Sequence, residues 1–180
     1  MIKIILKAIA ALGGVLTIFI AHIAMVNFLP FPINRINLIY MALVWLVISK
    51  GTTSAIWLAL VLSFLTEIFS STPFGVNMAA LILSLIFLDW FLLTIFTNHS
   101  WYMVFFSGLV GFISYRALGI IFLILAALMS HGAISLNYRL ITDFLLEAAL
   151  TSLALALTYL IASLFKNRFN PNYITLKGRL

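Results

Sequence analysis

The sequence predicts an all-α, polytopic membrane protein: a compact bundle of six transmembrane helices. Three observations predict it. Of 180 residues, 65% are hydrophobic and only 8% are charged, whereas a soluble domain carries about 25% charged residues. The mean hydropathy is +1.25, so the chain cannot cover itself with polar surface. The apolar residues run in stretches of about twenty, which matches the hydrocarbon thickness of a bilayer. A membrane barrel would show short alternating segments instead. The length permits one bundle and no substantial soluble domain.

The first span is residues 4–28, ended by Pro30 and Pro32. Lys3 and Lys7 precede it as in a signal peptide. The stretch is too long for one, however, and no small-x-small cleavage site closes it, so it reads as a retained helix. The second span, 36–50, is short. Its apolar part, Leu38 to Ser49, covers about 18 Å at 1.5 Å per residue. Lys50 can lengthen it by snorkelling to the head groups, and a re-entrant segment is the alternative. The third span is 52–69. The fourth, 74–96, is closed by the polar stretch TNHS. The fifth, 101–129, opens on Trp101 and Tyr102, an aromatic anchor at a membrane interface. The sixth is 140–165. Residues 1–165 thus form one transmembrane domain, and 166–180 form a basic tail expected to be mobile and cytoplasmic.

Charge sets the expected orientation. With six crossings and a cytoplasmic N-terminus, the inner side holds Lys3, Lys7, Lys50, Lys166, Arg168, Lys177 and Arg179. The outer side holds Arg35 and Arg139. Seven basic residues against two is a positive-inside pattern with both termini inside. The net charge of +6 therefore speaks of orientation and anionic lipid, not of nucleic acid. No cysteine is present, which excludes disulfides, iron–sulfur clusters and thiolate catalysis.

Few ionisable groups lie at membrane depth: Glu67, Asp89, Arg116, Asp143, Glu147 and His22. Each should face the bundle interior, a partner or water, because a charge in hydrocarbon costs at least about 2.5 kcal/mol. Asp143 and Glu147 are four apart, on one helix face. Arg116 is central in the fifth span, and Glu147 or Glu67 could pair with it by depth. An ion pair that fixes packing is the favoured reading, ahead of a partner contact and of a proton or ion path. Asp89 reads as a water-facing acid near the inner end of its span. His22, His99 and His131 show no metal-ligand spacing. No nucleophile elbow, phosphate loop or dinucleotide fingerprint occurs. No catalytic residue, metal or cofactor is expected. Gly108 and Gly111, with Ser107 and Ser114, give the fifth helix a small-residue face suited to close helix packing.

The stretch VLSFLTEIFSSTPFGVN, residues 61–77, places a carboxylate just before a Pro–Gly break. Ser70, Ser71 and Thr72 can cap the fourth helix, and Pro73 suits a first turn. Glu67, one turn earlier, can meet water or the free N–H groups that open that helix. The segment reads as a tight hairpin at the outer face, a rigid knob.

This pattern resembles the rod shape-determining protein MreD family. In that family an acidic residue ends one helix, a short Ser/Gly stretch follows, and Pro, an apolar residue and Gly open the next. Here these are Glu67, Ser70–Thr72, Pro73, Phe74 and Gly75, with glutamate where aspartate is usual. Upstream, Asn37 leads a short helix that ends before a basic residue and Gly51. The resemblance covers roughly residues 34 to 120. It implies a non-enzymatic, multi-pass protein of the bacterial inner membrane, acting in cell elongation and peptidoglycan synthesis. It also implies partners: MreC-like proteins and RodA-like glycosyltransferases with their penicillin-binding proteins. On that reading Glu67, Pro73, Gly75, Arg116, Asp143 and Glu147 are structural or partner-contact residues. The family fold is similar to substrate-binding subunits of energy-coupling-factor vitamin transporters, so a small-molecule-binding transporter subunit is the rival. A lipid-modifying enzyme has only the Asp143–Glu147 pair in its favour and ranks last.

Overall fold

The computed structural model describes residues 2–70, 72–95, 101–130 and 138–164, with side chains from residue 12 to 163 apart from 71, 96–100 and 130–141. Six helices follow one another: α1 (Ile2–Phe28), α2 (Leu38–Lys50), α3 (Thr52–Ile68), α4 (Val76–Ile95), α5 (Trp101–Ser130) and α6 (Tyr138–Leu164). A 3₁₀ turn, Ile33–Arg35, lies between α1 and α2. Among the described residues there is no strand. Among the described residues, three helices are long and apolar enough to cross a bilayer: α4, α5 and α6. The TNHS stretch and the basic tail lie outside the described residues.

The shortest helix forms the centre. α2 has 13 residues, about 20 Å of rise, and it touches each of the other five helices. Tyr40, Leu43, Val44 and Val47 on α2 are almost wholly buried. A helix walled by protein need not present a full bilayer's length of apolar surface.

The ends of α2 are defined by single residues. Asn37 is the N-cap: its side-chain oxygen accepts from the Tyr40 N–H at 3.0 Å. Its own N–H donates to Thr151 Oγ1 on α6, also at 3.0 Å. The second helix therefore begins at Leu38, not at Ile36, because Asn37 is spent as the cap. At the other end Gly51, with φ +90°, closes α2 and opens α3. Its positive φ is cheap only for glycine.

Neighbouring helices pack in sequence, α2 on α3, α3 on α4, α4 on α5 and α5 on α6. The small residues of α5 face two partners. A Cβ on Gly108 would come within 2.9 Å of Leu155 Cδ2 on α6. A Cβ on Gly111 would collide with the Tyr40 hydroxyl on α2 and approach Leu88 Cδ1 on α4 at 3.1 Å. Buried Ser63, Ser84, Ser107 and Ser152 donate to carbonyls of their own helices at 2.6, 2.7, 3.0 and 2.7 Å, which satisfies them without a cross-helix partner. The exterior is greasy: Trp57, Trp90, Leu128 and Met129 are all more than half exposed. Contiguous apolar surface of this kind suits hydrocarbon better than water.

Candidate functional site at the α3–α4 hairpin

Antiparallel packing brings the C-terminal ends of α1, α3 and α5 to the same end of the bundle as the N-terminal ends of α2, α4 and α6. Glu67, Arg35, Asn37, Asn77, Asp143 and Glu147 gather there.

Glu67 is 4% exposed, and it points at the start of α4. One carboxylate oxygen accepts from the Gly75 N–H at 2.9 Å, the other from the Met78 N–H at 3.0 Å. Gly75 is the residue whose carbonyl takes the first helical bond, from Ala79 N–H at 2.9 Å. It is thus the N-cap of α4, and Met78 is the third residue of the helix. In a capping box two side chains divide this work: the N-cap oxygen takes the third N–H, and the third residue reaches back to the N-cap N–H. Gly75 has no side chain and Met78 has no acceptor suited to it. Glu67 does both tasks from the preceding helix. Its charge also lies at the positive end of the α4 dipole.

The rest of the hairpin follows from this. α3 ends with two tight bonds, Phe69 N–H to Thr66 O at 3.2 Å and Ser70 N–H to Glu67 O at 3.1 Å. Gly75 adopts φ +91°, which lets its N–H turn back toward Glu67. The fourth helix therefore starts at Val76, not at Phe74. Pro73 lies before the helix, not in its first turn. Ser70 and Thr72 do not cap α4 either, and Ser71 lies outside the described residues. Ser70 Oγ accepts from the Thr72 N–H at 3.2 Å and shares a 2.8 Å bond with the Thr72 hydroxyl. Asn77 Nδ2 donates to Thr72 Oγ1 at 2.8 Å. These bonds stiffen the turn. They leave Phe69 and Phe74 exposed at its surface, with Phe74 edge-on to Phe64 at 5.9 Å.

The second polar assembly joins α5 and α6. Arg116 forms an ion pair and hydrogen bond with Glu147. Of the two acids that depth allowed, Glu147 is the partner, because α5 and α6 are adjacent, while the Glu67 oxygens are already engaged at α4. The guanidinium also lies over Phe112 at 5.7 Å and Tyr115 at 5.9 Å. Those rings pack with buried Tyr40, at 5.1 Å edge-on and 5.9 Å stacked respectively. Asp143, one turn from Glu147, pairs with Arg35 at 3.5 Å, and both side chains are about half exposed. The four-residue spacing of the two acids thus serves two arginines, one from the 3₁₀ turn and one from α5. Asp89 stands apart at the opposite end of α4, half-buried, with no ion pair among the described residues.

Sequence reasoning placed Arg35 on this side and Asn37 at the head of the second helix, but missed Thr151, Tyr40 and the partners of Arg35 and Asn37. Asn three residues before Tyr40 was a readable cap signal. The Arg35–Asp143 and Asn37–Thr151 links join residues more than a hundred positions apart and carry no local signal. A cavity of about 170 Å³ also opens here, between α1, α2, α3, α4 and α5. Among the described residues no group of three or more His, Cys, Asp or Glu could hold a metal ion. No family model, curated protein or solved structure matches the chain.

Proposed function

We propose that this chain is a non-enzymatic membrane scaffold of the bacterial cell-elongation complex, in the manner of the MreD family. It would lie in the plasma membrane with six crossings and both termini in the cytoplasm, and act by helix and hairpin contact with MreC-like and RodA-like partners. The observation that carries this reading is the hairpin. Two residues that bear the family resemblance have a mechanical task in it: Glu67 caps α4, and Gly75 supplies the positive φ at its start. The result is a stiff turn with Pro73, Phe69 and Phe74 on its surface. A preformed protrusion binds at low ordering cost.

The charge count supports the topology, seven basic residues inside against two outside. α2 would cross as a protein-walled helix with Lys50 at its cytoplasmic end. Because the natural chain has no cysteine, single cysteines can be labelled without background. Labelling of position 73 from outside and of position 50 from the cytoplasm is expected. Labelling that put the two chain termini on opposite faces would remove the topology. The scaffold role is tested by mild-detergent co-purification. MreC-like and RodA-like proteins should accompany the chain, and its deletion should alter cell width. Neither occurring would end the proposal.

The cavity favours a second reading, a substrate-binding membrane subunit of a small-molecule transporter. Its volume of about 170 Å³ falls below the roughly 300–1,000 Å³ of sites that take drug-sized ligands. That places vitamin uptake second. A thermal-shift screen with vitamins decides it, since a ligand that binds the folded state raises stability by mass action.

A further inference from the structure

The cavity has a lining unlike the rest of the bundle. His22 from α1, Asn37 at the start of α2, Ser63 and Thr66 from α3, Asn77 from α4 and Tyr115 from α5 all reach it. Six hydrogen-bonding side chains from five helices converge in a chain that is 65% hydrophobic. Several are engaged on one side only. Asn37 accepts through its oxygen and Asn77 donates through its nitrogen, which leaves an amide donor on one and an amide acceptor on the other. Open amide groups of both kinds beside one cavity suit a polar occupant.

The lining also restricts that occupant. It contains no lysine, arginine, aspartate or glutamate. The nearest carboxylate, Glu67, is turned to the Gly75 and Met78 N–H groups. An ion here would be desolvated without a countercharge, which is expensive. Ile39, Leu81 and the Tyr115 ring supply apolar wall. At about 170 Å³ the cavity compares with the engineered cavity of about 150 Å³ that holds a benzene-sized molecule.

We propose that this cavity binds one small uncharged molecule bearing both hydrogen-bond donors and acceptors, of the polyol or carboxamide class. The inference rests on the cavity alone and stands whether or not the scaffold reading does.

The cysteine-free chain makes it testable in the full-length protein in membranes. Ser63→Cys is the closest isosteric change in the lining, and Thr66→Cys is a second variant should the first fold poorly. Ser54→Cys, exposed near the start of α3, is the control. Each is reacted with methyl methanethiosulfonate in the presence of glycerol, acetamide, acetate or methylammonium. Glycerol or acetamide should slow labelling of the cavity cysteine severalfold and leave the control unchanged, and the two ions should not slow it. Adding Tyr115→Phe with Asn77→Leu should abolish the protection. Labelling that neither uncharged compound slows means a cavity holding water only, and overturns the proposal. Equal protection by the ions overturns it too, as does a cavity cysteine that does not react in either variant while the control does.

Discussion

Glu67 and Glu147 lie at the same end of the bundle and are neutralised in different ways. Glu67 is met by two backbone N–H groups, eight and eleven residues further along the chain. Glu147 is met by the side chain of Arg116, thirty-one residues earlier. The first solution is local and builds a turn. The second is tertiary and ties two helices together. They also differ in burial: Glu67 is 4% exposed, whereas Arg116 keeps 41% of its side chain exposed against 15% for Glu147. A backbone dipole cannot rotate away or be deleted, so the local solution is stiffer. The tertiary one depends on a long side chain that can re-orient or be deleted.

That difference orders the expected effects. Glu67→Ala strands two N–H groups at a buried helix start, at about 1–3 kcal/mol each. A loss of about 2–6 kcal/mol in stability is expected in detergent or bicelle unfolding. Glu67→Gln keeps one acceptor and should cost less than half as much. Equal losses in the two variants would break the claim that both oxygens act as caps.

Gly75→Ala places a Cβ at φ +91°, with open space around it. The cost is therefore backbone strain alone, about 1–2 kcal/mol. Coupling sharpens the point. Glu67→Ala combined with Gly75→Ala should cost clearly less than the sum, because the glycine conformation serves the Glu67 bond.

For the Arg116–Glu147 pair, a double-mutant cycle through Arg116→Met and Glu147→Leu should give a coupling of about 1 kcal/mol. Interhelical polar contacts in membrane proteins give about 0.6–1.7 kcal/mol in such cycles. A coupling larger than the Glu67→Ala loss would invert the comparison. The smallest effect belongs to Arg35→Ala. Its pair with Asp143 is about half exposed on both sides, and a change within about 0.5 kcal/mol is expected.

Much of this was legible in the sequence, for physical reasons. Helices were readable because apolar runs of bilayer length have few other solutions. The carboxylate before a Pro–Gly break was readable as a helix-start partner because its spacing is local. The start of α4 was misplaced by two residues. Ser70, Thr72 and Pro73 look like cap and first turn, while the cap that operates comes from the previous helix and needs the φ of Gly75. Arg116 had two acids at matching depth, and only the adjacency of α5 and α6 chooses Glu147. The cavity was illegible. Its polar residues are scattered from His22 to Tyr115, and each taken alone looks like an ordinary polar residue in a helix.

The central claim is that the Glu67 carboxylate holds the first turn of α4. Amide hydrogen exchange, followed by NMR on the protein in nanodiscs, tests it most directly. The Gly75 and Met78 amides should be protected in the natural protein and exchange much faster in Glu67→Ala, while Ser152 on α6 keeps its protection. Unchanged protection at Gly75 and Met78 in that variant would contradict the account.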